Sequence, residues 1–316
     1  MSSIDRIGLG TAALGRPQYI NIRSKPNAPF DFETFKKQGF ELLDLAFERG
    51  VRYFDTAPGY GMAEQLMIDW AKKKQDHSIE IATKWGYSYV ADFSPNAKVH
   101  EVKDHSLRQL DKQWIASEKL LPYLTTLQIH SATFETGVLT NDRVLERLSE
   151  LKAKHKISIG LTTTGSSQTE VIKAALEVQN NGTQFFDTYQ VTYNVFDQSF
   201  ASVANGLNGK RVIIKEALAN GRIFRNGNYP AYKKVYSYLE ALGNKYDVGV
   251  DAVALRFCMD SIDPFIVLSG ASDGFQLDQN LMALTFELAQ EEIGMLQSFA
   301  FETSSYWEDR KKLPWN

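Results

Sequence analysis

Cysteine is almost absent. Cys258 is the one thiol in 316 residues, so no intrachain disulfide can form and no multi-cysteine metal centre can be built; a reducing compartment, the cytoplasm, is the expected location. Long apolar runs are missing too, and no stretch reaches the ~18 residues that a membrane-spanning helix requires. The opening MSSIDRIGLG has neither the basic nor the apolar region of a signal peptide. Nor is there an excess of charge. A net charge of −3, from 35 Lys and Arg against 38 Asp and Glu, offers no field for nucleic acid or an anionic membrane. Ordinary core material is what abounds: 43% of residues are hydrophobic and 23% charged, enough for independent folding.

No stretch reads as an interdomain linker, so residues 1–316 are expected to form one domain, a length that suits an α/β barrel of ~250 residues or more. Short β-branched or apolar runs alternate with amphipathic segments, the pattern of a parallel sheet wrapped by helices. Strands are expected at 4–9, 51–55, 79–84, 126–130, 157–162, 185–191, 211–215 and 265–268. Eight of them predict an α/β fold of the (β/α)8 TIM-barrel class. Helices are expected at 32–49, 63–74, 142–155, 168–179 and 229–246, with an extra one at 250–260 and a last one at 289–303. Two longer irregular stretches, 16–31 and 87–103, each follow a strand, where barrel loops build a pocket.

Four polar residues stand at or just past the ends of three strands: Asp55 and Tyr60 in YFDTAPGYG, Lys84 in IATKWGY and His130 in LQIHSA. Singly they read as a cap, a loop aromatic, a solvated strand end and a core histidine. In a closed barrel all four meet at one mouth. Reducing a carbonyl demands a proton for the developing alkoxide, and Tyr60 can supply it. A free phenol titrates near ~10, so a cation such as Lys84 is needed to make its proton exchangeable. Asp55 offers Lys84 a countercharge, and His130 a hydrogen bond that orients the carbonyl.

FDTAPGYGMAEQ, ATKWG and LQIH resemble the three signature regions of the aldo-keto reductase superfamily, in the same order. IGLGTAALG, YQVTYN, KEALANGRI and VLSGASDGFQLDQN extend the resemblance over nearly the whole chain. It implies the TIM-barrel fold, an oxidoreductase acting on a small aldehyde, ketone or sugar, and Asp55, Tyr60, Lys84 and His130 as the catalytic tetrad. A bacterial branch that includes sugar dehydrogenases and pyridoxal reductases is the nearest in feel. A monomer or weak homo-oligomer is expected. The rival from another class is a non-catalytic cofactor-binding subunit, like the potassium-channel β-subunits of the same fold.

Gly8-Leu-Gly10-Thr-Ala-Ala13 approximates a dinucleotide fingerprint, but the acidic residue closing the next strand, Asp55, lies far beyond the ~20-residue spacing of a Rossmann unit. The glycines are read as a strand-to-loop turn. The resemblance instead implies NADP or NAD lying across the barrel mouth. It places Gln190 at the carboxamide, Asp55 and Thr11 nearby, and Ser272, Gln276, Gln279 and Asn280 around the adenosine. Leu218, after the seventh strand, and Gly270, after the eighth, are further cofactor contacts that it implies. Thr162 and Thr163 replace the usual Ser-Asn, and Lys215 stands where a stacking tyrosine is common; its role is left open, with Glu216 as a possible partner. Where many members carry Lys and Arg for the 2'-phosphate, this chain has Gly270 and Gln276, with Asp273 adding negative charge. NAD and NADP both remain open.

His77, His100, His105 and His155 lack metal-ligand spacing and are read as surface or loop residues. Asn181-Gly182-Thr183 reads as a turn despite matching a glycosylation sequon. Lys72-Lys73-Lys74 reads as a helix C-terminus. Tyr306, Trp307 and Trp315 lie in a short polar tail that is expected to dock on the barrel wall.

Overall fold

The structure, a computed structural model, describes residues 6–16, 31–94, 97–180 and 182–313. Most of the 16–31 loop, Asn181 of the sequon and Trp315 lie outside them. Eight parallel strands close into a barrel: β1 (Ile7–Gly10), β2 (Tyr53–Asp55), β3 (Glu80–Trp85), β4 (Leu124–Ile129), β5 (Ser158–Thr162), β6 (Thr188–Thr192), β7 (Arg211–Lys215) and β8 (Ile266–Ser269). Each pairs with its neighbour in sequence, and β8 returns to β1 with Ile7 opposite Val267. The eight predicted strands are these, displaced by a few residues at their ends.

Strand alternation explains the interior. Side chains two apart share a face. Tyr53, Ala82, Ile213, Ile266 and Leu268 form a small plug of their own, whereas the alternate residues Phe54, Ile81, Ile214 and Val267 belong to the large core between strands and helices. One step up from the plug, Asp55 follows Tyr53, Lys84 follows Ala82 and Lys215 follows Ile213. Along these three strands the barrel passes from apolar to ionisable within ~7 Å.

The helices 32–49 and 63–74 form as Phe32–Glu48 and Ala63–Lys74. Asp31 caps the first by accepting from Thr34 N at 2.8 Å. The lysine run ends the second, where Lys74 pairs with Asp44 at 2.7 Å.

Other expectations are corrected. Residues 87–103 are not wholly irregular: Tyr87–Tyr89 and Glu101–Lys103 form an antiparallel ladder. The helix at 168–179 stops at Leu176, because Gln179–Asn180 pairs with Thr183–Gln184. The last helix is two, Gln290–Gln297 and Thr303–Lys311, so the polar tail is itself helical. His105 lies on the loop between Lys103 and Leu107, as expected, but is buried at 5% exposure and not on the surface. No helix among the described residues is long and apolar enough to cross a membrane.

Candidate active site

Lys84 is 1% exposed. Its ammonium forms a short contact with the Asp55 carboxylate and donates to the Thr56 carbonyl at 3.1 Å. The other Asp55 oxygen accepts from Gln190 Nε2 at 2.7 Å and Gln128 Nε2 at 3.3 Å. Burial lowers the Lys84 pKa, while the Asp55 charge and its hydrogen bond, and beyond them Glu64, oppose the shift. Four side chains from four strands are therefore joined through the Asp55 carboxylate.

Tyr60 comes from the turn after β2, where its N–H donates to Ala57 O at 3.0 Å and its carbonyl accepts from Ala63 N at 3.2 Å. Gly15 lies beneath this turn, and a Cβ there would collide with the Tyr60 carbonyl. The Lys84 ammonium sits 4.7 Å from the Tyr60 ring centroid. Burial, and then the Asp55 carboxylate, raise the phenol well above its ordinary pKa, so the resting group holds its proton. The His130 ring stands edge-on to Tyr60, 5.4 Å between centroids, and 4.7 Å from Tyr87. Burial, reinforced by the Lys84 and Lys215 charges, keeps it far below the usual imidazole range. It is neutral at pH 7.

These groups open into a cleft of about 490 Å³. Asp55, Tyr60, His130, Thr162, Gln190 and Lys215 line one part of it. Leu218, Gly270, Ser272, Gln276 and Asn280 line it as well. Within this second group, Gln276 Oε1 accepts from Ser272 N at 2.9 Å and Ser272 Oγ at 3.1 Å, and Asn280 Nδ2 donates to Ser269 Oγ at 2.8 Å. Asp273 accepts from Gln276 N at 2.9 Å as the cap of helix Gly274–Leu281. Three residues lie elsewhere. Thr11 is buried, its hydroxyl on the Asp55 carbonyl at 3.0 Å, Lys84 lies behind the cleft wall, and Gln279 lines a smaller depression with Gly249 and Asp247.

Sequence reasoning overlooked Glu101, Ser131 and Arg310 and named Glu216 only as a partner for Lys215; all four are on the cleft wall. Arg310 belongs to helix Thr303–Lys311 and reaches Glu216 at 2.6 Å. Lys215 lies 3.8 Å from the same carboxylate and donates to Thr192 Oγ1 at 2.9 Å. Burial alone would raise the Glu216 pKa, yet Arg310 and Lys215 hold it down at about 2. The usable signal was the adjacent pair Tyr306 and Trp307: both are buried, and Trp307 Nε1 donates to Asp197 at 3.0 Å. Among the described residues no group of three or more His, Cys, Asp or Glu side chains is placed to hold a metal.

The aldo/keto reductase family model matches residues 6–300. An uncharacterized oxidoreductase of Bacillus subtilis (strain 168) is 24% identical over 315 residues, covering 93% of this chain and 92% of its own. Pyridoxal 4-dehydrogenase of Microbacterium luteolum is 23% identical over 329 residues, covering 89% of each. Among solved structures, the holo form of an aldo-keto reductase from Bacillus halodurans superimposes with a TM-score of 0.71 at 21% identity, over 94% of this chain and 92% of that one. The glycerol dehydrogenase of Gluconobacter oxydans gives 0.70 at 21%, over 93% and 90%. Identities this low speak for the fold, and the family match speaks for descent. With a closed eight-stranded barrel and that match over nearly its whole length, the chain belongs to the aldo/keto reductase family and is an oxidoreductase.

Proposed function

We propose that the protein is an NAD-dependent oxidoreductase that moves hydride between the nicotinamide and the carbonyl or alcohol carbon of a small aldehyde, ketone or sugar, with Tyr60 as the general acid and base. The observation that carries this reading is the Asp55–Lys84 pair set behind Tyr60 and His130 at one end of the cleft. The family works with nicotinamide cofactors, which supply or accept the hydride when bound. The cleft fits such a group. Lys215 and Arg310 both line it beside Glu216, and cations at a cleft wall suit a pyrophosphate.

In reduction, the neutral His130 imidazole donates to the carbonyl oxygen, which orients and polarises it. Tyr60 Oη then gives its proton to the oxygen as the carbon gains hydride. The phenolate left behind is stabilised by the Lys84 ammonium, which Asp55 holds in place, until solvent returns a proton. Oxidation runs the same steps in reverse.

The choice of NAD over NADP rests on the Gly270–Asn280 end. Among the described residues no Lys or Arg lines it, Asp273 adds a carboxylate, and Arg49, which reaches the same helix, is paired with Asp278 at 2.8 Å. Among the described residues a 2'-phosphate would find no charge-assisted partner there. Hydroxyl-bearing substrates suit the polar lining from Glu101, Ser131 and Thr164, in keeping with relatives named for pyridoxal and glycerol.

Tyr60→Phe is expected to leave NADH affinity nearly unchanged while lowering turnover at least ~100-fold, and Lys84→Met to behave alike. Stopped-flow turnover with fluorescence titration measures both, and an undiminished rate in Tyr60→Phe sinks the assignment.

A further inference from the structure

His130 is followed by a turn whose polar backbone groups are all engaged. Ser131 adopts φ 51°, a conformation that a serine disfavours. The His130 N–H donates to Trp85 O at 2.9 Å, and the Ser131 N–H to Thr162 Oγ1 at 2.7 Å. Both partners belong to barrel strands. The two carbonyls face the segment returning from the ladder: His105 Nε2 lies 2.9 Å from His130 O, and Lys103 Nζ donates to Ser131 O at 3.1 Å.

His105 is held at both ends. A carbonyl can only accept, so Nε2 carries a hydrogen. Burial, above all, pushes the ring down to about 4, so at neutral pH Nδ1 is bare and accepts from Thr136 Oγ1 at 2.9 Å. The single Thr136 proton therefore goes to the ring and not to Thr133 O, 3.1 Å away. The ring packs against Trp85, 5.5 Å between centroids. Gly86, at φ 111°, gives it room, since a Cβ at position 86 would strike the His105 ring.

We propose that His105, assisted by Lys103, is a positioning residue: its Nε2–H bond to the His130 carbonyl fixes the left-handed turn and with it the aim of the His130 imidazole into the cleft. His105 does not itself line the cleft. The inference rests on the reading of His130 as the group that orients the carbonyl.

The test compares His105→Leu, which removes the donor but keeps the bulk, with His105→Gln, whose amide N–H reaches the Nε2 position. Holoenzyme kcat, KM and NADH Kd are measured for each. His105→Leu should lose ~10-fold or more in kcat with NADH Kd within about twofold, and His105→Gln should recover to within about threefold of the parent. A His105→Leu enzyme with parental kcat, or a His105→Gln enzyme equally impaired, overturns the inference. Should His105→Leu fail to fold, Thr136→Val carries the test: it frees the Nδ1 end and should lower kcat about threefold, and an unchanged kcat rejects the proposal. His130→Ala is run alongside. If it retains turnover, the reading of His130 falls; if it loses turnover and His105→Leu does not, the positioning role alone falls.

Discussion

Glu64 lies one layer behind the reacting groups. It is 5% exposed and accepts from Thr83 Oγ1 at 2.5 Å and Ser117 Oγ at 2.9 Å. Burial lifts its pKa to about 7, against these hydroxyls and the Lys84 charge. Because the folded pKa lies above the ordinary 4.5, the folded state keeps a proton that the unfolded chain has released. The contribution is whole below pH 4.5 and is lost as pH rises through 7, a change on the order of 3 kcal/mol. Glu64→Gln should abolish that slope while still accepting from both hydroxyls. Urea unfolding at pH 5 and pH 8 checks it: parallel pH dependence in parent and variant would show that Glu64 is not the titrating group. At this scale the grouping of Asp55, Lys84 and His130 was legible because each closes an apolar strand, and that of Tyr60 because it stands in the turn just past one. Glu64 and His105 were not, since their partners stand 19 to 53 and 25 to 31 residues away on elements whose packing no local pattern encodes.

Helix Thr303–Lys311 has nine residues, too few to persist alone. Its hold on the barrel is tertiary. The Arg222 guanidinium lies 4.1 Å over the Tyr306 ring and donates to Tyr306 O at 3.0 Å, and Asn194 Nδ2 donates to the Tyr306 hydroxyl at 3.0 Å. Arg310 then fastens the loop after β7, where Glu216, Ala219 and Asn220 all take positive φ. Arg310→Leu should leave Glu216 with Lys215 and the more distant Arg222 charge, costing about 3 kcal/mol and weakening NADH binding. Adding Glu216→Gln should restore most of the stability. Thermal unfolding of the single and double variants measures this, and a double variant no better than the single excludes the ion pair as the cause. The helix escaped sequence reading because Tyr306 and Trp307 are adjacent apolar residues in a polar run, which shows no 3.6-residue period. The ladder of Tyr87–Tyr89 with Glu101–Lys103 escaped for another reason: its strands are three residues each, with eleven residues between them.

For the molecule as a whole, the eightfold count of strands was enough to anticipate a closed barrel, because parallel strands with intervening helices have few ways to bury both faces. The shape of the cleft was harder to foresee, since its walls join loops from residue 10 to residue 310. Ligand binding is read at this scale too. A ligand at 100 times its Kd stabilises the folded state by about 2.7 kcal/mol, so NADH should raise Tm more than NADPH at equal concentration. A larger shift with NADPH would reject the NAD reading. Closure of the barrel carries one more consequence. Ile7 pairs with Val267, about 260 residues later, and at ~5–20 residues per second a ribosome needs tens of seconds to make that partner. Until β8 is made, β1 keeps at least one edge unpaired, so the growing chain is more open to edge-to-edge pairing than the closed barrel.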